Sequence, residues 1–297
     1  MMSESGLKEQ RPRLQRGDGG VTACFGAALP GMKTGARLLD LYQSDPGRAL
    51  LPLPEPGEPA SLVLVTTSGG LTGGDRLKLS LTLEPGAKLA AMAQAAEKLY
   101  RSAAADNETE VIQELSAASG AWLEWLPQET ILFNGARLAR RTSINLDPEA
   151  EALIGDMLVY GRVARGERFE QGSLFDLWEL RRAGRLVWTE RQGIDGDIAA
   201  LLAAPAGFDG AVAQASLIFA RPCFATETGC TEILAGLRAI LEQHSGLRGG
   251  ATRLDGFILL RLLGRDPLLL RRAFAEVWRY CRHQAGWADT MPRLWLR

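Results

Sequence analysis

Apolar and polar residues alternate along the first two thirds of the chain. Every second residue from 77 to 83 is a leucine, and Lys78, Ser80 and Thr82 lie between them. A two-residue period is typical of a β-strand with one buried face. Similar patterns separated by short turns predict a mainly β protein. The predicted strands are 21–29, 35–42, 61–67, 76–83, 87–94, 109–116, 121–126, 137–144, 151–164, 173–181 and 185–192.

Three of these segments share one form, which is a strand, a tight turn, an alanine and a second strand. They are LTLEPGAKLAAMAQ (81–94), QELSAASGAWLEWLPQ (113–128) and SINLDPEAEALIGDM (143–157). Aligning Ala87, Ala121 and Ala150 gives spacings of 34 and 29 residues. A repeat near 30 residues favours stacked layers of strand pairs that bury a shared face. An ordinary β-sandwich is the alternative, because turn residues recur in any all-β chain.

The last third of the chain has a different period. Residues 232–243 and 266–284 carry apolar side chains at helical spacing, and Asp266 and Pro267 are a suitable N-cap and first helical residue. Residues 252–264 between them read as a buried strand. We therefore expect one domain over residues 21–297, strand-rich over 21–220 and helix-containing over 221–297. Residues 1–20 are polar and glycine-rich and read as a disordered arm.

Composition excludes several classes of protein. The chain has 297 residues, 46% of them hydrophobic, which is ample for a packed core. With 34 basic and 35 acidic residues the net charge is −1, so we expect no nucleic-acid partner. No apolar run is long enough for a membrane span, and the N-terminus lacks the apolar region of a secretory signal. We therefore expect a cytoplasmic protein without a membrane partner, whose four cysteines are reduced.

The segment TTSGGLTGGDRL (66–77) resembles a phosphate-binding loop only superficially. A phosphate loop precedes a helix, whereas a strand pattern follows Asp75. The spacing of the four glycines also does not fit G-x-G-x-x-G. We interpret Gly69, Gly70, Gly73 and Gly74 as structural residues that permit a tight connection between strands.

Acidic residues fall at several expected loops, with Asp75 after the glycines, Glu129 in WLPQET and Glu167 in RGERFEQG. Glu129 and Glu167 could be the paired carboxylates of a β-solenoid carbohydrate-active enzyme. The alternative for the Arg-rich 161–172 segment is a solvated loop with weak ion pairs and no catalytic role. No nucleophile elbow or zinc-ligand spacing occurs in the sequence. It therefore contains no enzyme signature, and we expect no tightly bound cofactor.

Longer blocks of sequence carry more information than these spacings. LVLVTTSGGLTGGDRLKLSLTLEPGAKL (62–89), GAWLEWLPQETILFNGARL (120–138), GRVARGERFEQG (161–172) and MPRLW (291–295) resemble, in order, the signatures of the urease accessory protein family UreD, also called UreH. The resemblance implies a β-helix-like stack of strand layers with two C-terminal α-helices. It also implies a chaperone that is not an enzyme.

The family forms a complex with UreF and the GTPase UreG, binds urease apoprotein and helps to insert nickel. A dimer of the whole accessory complex is a further family expectation, and we expect the C-terminal helices and outer strands to meet the partners. A path for Ni²⁺ in transit should hold the ion weakly, through carboxylate, carbonyl and water oxygens. Carried over by motif, the candidate residues are Asp75, Glu124, Glu129 and Glu167.

One position departs from the family pattern. The family often has an acid after the phenylalanine of its second signature, where this chain has Asn134. If that acid binds metal in relatives, this chain offers a neutral amide oxygen in its place. We therefore leave Asn134 out of the candidate nickel ligands.

Overall fold

The computed structural model describes residues 18–32, 35–104, 107–226 and 230–295. Strands make up most of the regular structure. In chain order they are β1 (Asp18–Ala27), β2 (Ala36–Ser44), β3 (Gly47–Leu50), β4 (Ala60–Thr66), β5 (Arg76–Leu83), β6 (Lys88–Ala93), β7 (Glu97–Leu99), β8 (Thr109–Ala117), β9 (Trp122–Leu126), β10 (Thr130–Leu132), β11 (Arg137–Leu146), β12 (Glu151–Tyr160), β13 (Ser173–Arg182), β14 (Arg185–Ile194), β15 (Ala213–Ala220), β16 (Leu247–Leu254) and β17 (Phe257–Gly264). The α-helices are α1 (Ile198–Ala203), α2 (Thr231–Glu242) and α3 (Pro267–Gln284).

The strands form two sheets. The first sheet has the order β14-β13-β11-β8-β5-β1-β2, and the second has the order β16-β17-β15-β12-β9-β6-β4-β3 with β7 and β10 attached at one end. The central strands of both sheets are parallel, and antiparallel pairs lie only towards the edges. A parallel pair needs a long crossover. Here the crossover is the strand of the other sheet.

The chain therefore alternates between the sheets and climbs one layer with each circuit. In the second sheet Lys88 pairs with Trp122, and Trp122 pairs with Glu151. These registers are offsets of 122 − 88 = 34 and 151 − 122 = 29 residues, the spacings of the aligned alanines in the sequence. The predicted β-helix-like stack of strand layers is confirmed.

The repeated turns stack on one another. Ala87, Ala121 and Ala150 are buried, and the N–H group of each donates to the carbonyl three residues earlier. The carbonyl of Ala87 then accepts from the N–H of Trp122, and that of Ala121 from Glu151. A small side chain is required here because each turn packs directly on the next layer.

Two large apolar cores hold the stack together. One lies between the sheets and contains the inward side chains of strands such as β5, including Leu79, Leu81 and Leu83. The other lies on the outer face of the second sheet, where Phe274, Val277 and Trp278 of α3 pack with α2. The Asp266 side chain caps α3 by accepting from the N–H groups of Leu268 and Leu269. The two predicted C-terminal helices are thus present and cover this sheet.

Several boundaries differ from the sequence expectations. The predicted strand 252–264 is a hairpin, because Asp255 and Gly256 turn the chain and Gly256 has a φ of +81°. The predicted strand 151–164 ends at Tyr160, because Gly161 has a φ of +93°. Strands β3, β7, β10 and β15 and helix α1 were not predicted. Residues 18–20 belong to β1, while positions 1–17 of the predicted arm lie outside the described residues.

In the described ranges no helix is both long and apolar enough to cross a bilayer. No disulfide bond links the cysteines, all four of which lie in the described part of the chain.

Candidate functional site

The glycine loop, residues 66–75, lies against the following circuit of the chain. Gly69, Gly70 and Gly74 have φ values of +73°, +142° and +89°, in the region that disfavours other residues. A Cβ atom on Gly70 would lie 2.5 Å from the Tyr100 ring, and one on Gly73 would lie 2.1 Å from Oγ of Ser102. The glycines therefore allow both the left-handed backbone and the close approach of Lys98, Tyr100, Ser102 and Asn107.

Asp75 ends this loop. Its carboxylate accepts a 2.8 Å hydrogen bond from the N–H of Thr72, while its own N–H donates to the Thr72 carbonyl. This reciprocal arrangement is a common use of aspartate in turns. The carboxylate is partly exposed and keeps acceptor capacity for another ligand.

Glu167 lies in the 161–172 loop, three circuits further along the stack than the glycine loop. It accepts a 2.9 Å hydrogen bond from Nε of Arg162 and a 2.8 Å bond from the N–H of Asn134. Arg162, followed by that backbone donor, lowers the pKa of the Glu167 carboxyl. The Asn134 side-chain oxygen in turn accepts from the N–H groups of Glu170 and Gln171. An aspartate could accept the same two bonds, so the departure at Asn134 preserves the bracing of this loop.

Glu124 lies in a different place, beneath α3. It is 1% exposed and accepts 2.5 Å hydrogen bonds from Arg282 and a 2.8 Å bond from Nε1 of Trp122. Burial raises the pKa of Glu124, and the Arg282 charge opposes that rise. Arg282 also binds Glu58, so one buried guanidinium joins α3, β9 and the 51–59 segment.

Glu129 also pairs with an arginine of α3. Its carboxylate binds Arg271, whose guanidinium lies 4.1 Å from the ring centre of Trp295. The four candidate acids thus fall into two groups, with Asp75 and Glu167 on the stacked loops and Glu124 and Glu129 under α3. Over the described ranges no group of three or more His, Cys, Asp or Glu side chains is arranged to hold a metal ion.

A cluster of charged residues that sequence reasoning missed lies between the sheets. Arg140 of β11 binds Asp156 of β12 at 2.9 and 2.7 Å and Asp176 of β13 at 2.9 and 2.6 Å. All three side chains are buried. Burial works against the Arg140 charge, but the two carboxylates outweigh it and raise the pKa of Arg140; burial also raises the pKa of Asp156. Trp178 donates a further bond to Asp176.

This Arg140 cluster lies where two interior cavities meet. A cavity of about 160 Å³ opens beside Gly69, Gly70 and Lys98 and runs between the sheets to Arg140 and Asp156. Glu97 lines it as well, and burial raises the pKa of that carboxyl while Thr66 donates a 2.5 Å bond to it.

Beyond the cluster, a pocket of about 10 Å³ is lined by Asp156, Asp176 and Glu190. That volume is about enough for a single water molecule. This pocket shares Glu190 with a surface pocket of about 540 Å³ that reaches Arg248 and Arg261. The three cavities therefore adjoin one another through shared lining residues, with the Arg140 cluster between the first two and the Glu190–Arg261 ion pair beside the third.

None of the four candidate acids lines these cavities, although Gly69 and Gly70 do. The sequence did contain a signal for the missed residues. Arg140, Asp156 and Asp176 each stand at inward or fully buried positions of strands rich in apolar residues. A charge in such a position is costly unless it is paired, so it marks a site worth examining.

Comparison with known sequences identifies the relatives of this chain. The sequence model of the family described as UreD urease accessory protein matches residues 25–296. A protein of Magnetococcus marinus named urease accessory protein UreD is 41% identical over 93% of this chain and 94% of its own length. Proteins of the same name from Rhizobium rhizogenes and a Methylobacterium species are 38% and 39% identical, each over 96% of both chains.

Proposed function

The chain belongs to the UreD family of urease accessory proteins, with a role in urease maturation, and we propose that it acts there as a non-catalytic scaffold. In this proposal it joins UreF and the GTPase UreG, binds urease apoprotein and helps to insert nickel. The observation that carries the proposal is the family match over nearly the whole chain. The proposal also includes GTP hydrolysis by UreG, a cytoplasmic location and a dimer of the accessory complex.

The alternative of a carbohydrate-active enzyme has less support. Its two carboxylates, Glu129 and Glu167, bind Arg271 and Arg162 and belong to different groups of the structure. A general acid needs a raised pKa, whereas the pKa of Glu167 is lowered. The relatives are named as accessory proteins.

Two features support a path for nickel in transit. The adjoining cavities run from the glycine loop past Asp156 and Asp176, where carboxylate oxygens and water could replace one another around a cation. Near their mouth Asp75 ends the loop that Gly69 and Gly70 begin. Glu124, Glu129 and Glu167 do not line these cavities, and each is bound to an arginine that would weaken its hold on a cation, so any contact they make with the ion suits transit rather than storage.

Protein partners are supported by the apolar surface at the first strands. Most of the exposed large apolar side chains of the described residues lie between positions 29 and 53, including Tyr42 and Leu53, which is 91% exposed. Exposed apolar side chains that concentrate in one part of a protein support an interaction site there. The C-terminal helices bury their apolar faces against the second sheet, and the expectation that they and the outer strands meet partners stays a prediction.

The test is urease activity in a strain that lacks this gene, with urease protein quantified and nickel varied. We expect abundant urease that is inactive and low in nickel, and that the wild-type gene restores. Normal activity in the deletion strain, with no second copy of the gene, would refute the proposal. In the same strain, Asp75→Ala and Glu167→Ala should lower the nickel content of urease without reducing capture of the partners, whereas Glu170→Ala should not.

A further inference from the structure

The Arg140 cluster contains two carboxylates and one guanidinium in a buried place. Arg140 is 3% exposed, Asp156 7% and Asp176 4%, and four hydrogen bonds of 2.6 to 2.9 Å join them. A guanidinium presents its donors in a planar fork, so it can hold both carboxylates at once. With both carboxylates ionised, the cluster carries one negative charge in excess.

The cluster lies between two cavities, so its negative charge acts on any cation that enters them. Asp156 lines the cavities on both sides, whereas Arg140 faces only the larger cavity and Asp176 only the smaller pocket. A cation moving between these two cavities would therefore pass the two carboxylates. The other acids that line the cavities are Glu97 on one side and Glu190, bound to Arg261, on the other.

Two buried carboxylates without a counter-charge would hold a divalent cation tightly. Opposite charges attract more strongly where water is scarce, and each carboxylate oxygen is a good ligand for such an ion. Tight binding would stop transfer at this point. The guanidinium lies where such a cation would bind, and it brings a single positive charge and no ligand atoms.

We propose that Arg140 is the residue that prevents the interior passage from trapping a divalent cation, by acting as the fixed counter-charge of Asp156 and Asp176. Arg140 thereby sets the affinity of the passage for the ion and makes it a route of transit. The identity of the ion as Ni²⁺ rests on the proposed function, but the binding experiment does not.

The experiment measures Ni²⁺ binding to the purified, untagged full-length chain by titration calorimetry. Arg140→Gln should bind one Ni²⁺ about tenfold or more tightly than the wild type, because a neighbouring positive charge has been removed. Arg141→Gln is the matched control, since Arg141 is the next residue of β11 and is exposed. The double variant Arg140→Gln/Asp176→Asn restores the net charge of the cluster and should lose the added site.

Equal affinity of Arg140→Gln and the wild type would overturn the proposal. If Arg140→Gln unfolds, thermal denaturation with and without Ni²⁺ decides, because a cation that replaces the lost charge should restore the folded protein. Failure of Ni²⁺ to do so would also overturn it.

In the deletion strain, Arg140→Gln should leave urease low in nickel while partner capture is retained. If the wild-type gene itself proves dispensable for urease, the proposed function fails, and the calorimetric result still stands alone.

Discussion

At the scale of single residues, the energetic cost of each buried charge depends on its ion-pair partner. Glu124 and Arg282 show this most directly, since both are almost fully buried and Glu124 would be left as an unpaired charge without Arg282, whose guanidinium also binds Glu58. Such a pair is weak evidence of net stabilisation, because desolvation offsets much of the attraction. The cost appears when only one partner is removed.

We therefore expect Arg282→Met to destabilise the protein by about 3–5 kcal/mol, because it leaves Glu124 buried without its counter-charge. Chemical denaturation of the purified chain measures this free energy. The double variant Arg282→Met/Glu124→Gln should recover a large part of the loss. Arg279 lies on the same helix as Arg282 but forms an exposed ion pair with Asp289, beyond the helix end, so Arg279→Met should cost at most about 1 kcal/mol. Equal costs for Arg279→Met and Arg282→Met would contradict this account.

Glu167 predicts a dependence of stability on pH. Arg162 and the N–H of Asn134 lower its pKa in the folded state, so ionised Glu167 stabilises the fold. That contribution is complete above the unfolded pKa, which is about 4.3, and is lost as the pH falls through the lower folded value. Glu167→Gln should therefore be less stable than the wild type at pH 7, and the difference should shrink as the pH falls below 4.

Melting temperatures of both proteins over that pH range test the prediction, with the exposed Glu170→Gln as control. A difference between wild type and Glu167→Gln that persists unchanged in acid would show that charge is not the cause.

At the scale of elements, helix α3 packs closely on strand β12 because one residue of that strand is a glycine. Gly155 lies in β12 beneath α3, and a Cβ atom there would lie 2.5 Å from Cζ of Phe274 and 2.8 Å from Cζ3 of Trp278. Both rings are fully buried and have no room to move aside. The glycine is thus set by packing between layers, since its φ is not in the left-handed region.

Gly155→Ala should cost about 1–3 kcal/mol through overpacking. Gly193→Ala is the matched control, because Gly193 also lies in a strand and a Cβ atom there meets no atom within 4 Å. The free energy of unfolding from urea titration measures both. A Gly155→Ala protein as stable as Gly193→Ala would mean that α3 can shift away from the sheet at little cost.

At the scale of the whole molecule, the strand-rich and helix-containing parts share one core. Trp122 and Leu153 of the stack pack in the same cluster as Phe274 and Trp278 of α3, and β15 pairs directly with β12. We therefore keep the expectation of a single domain, and predict that the two parts unfold together.

Far-ultraviolet circular dichroism, which follows the strands, and tryptophan fluorescence, which follows both parts, should give coincident denaturation curves. Two separated transitions would show that the helices and the outer strands form a unit of their own.

Local patterns determined much of the fold. The two-residue period placed most of the strands, and the 34- and 29-residue spacings of Ala87, Ala121 and Ala150 indicated the register of the stack. Asp266 and Pro267 located the start of α3. These features can be read because each depends on residues close in sequence or on a repeat that brings the same turn back in every layer. The family was likewise determined by blocks of sequence.

Only the tertiary structure decided which charges meet. Arg140, Asp156 and Asp176 are 16 to 36 residues apart and come together because neighbouring layers stack in parallel register, while Glu124 finds Arg282 on a helix 158 residues away. The sequence motifs instead drew attention to Asp75, Glu129 and Glu167, which lie outside the cavities. A cavity is a property of the space between distant strands, and no local pattern of residues records it.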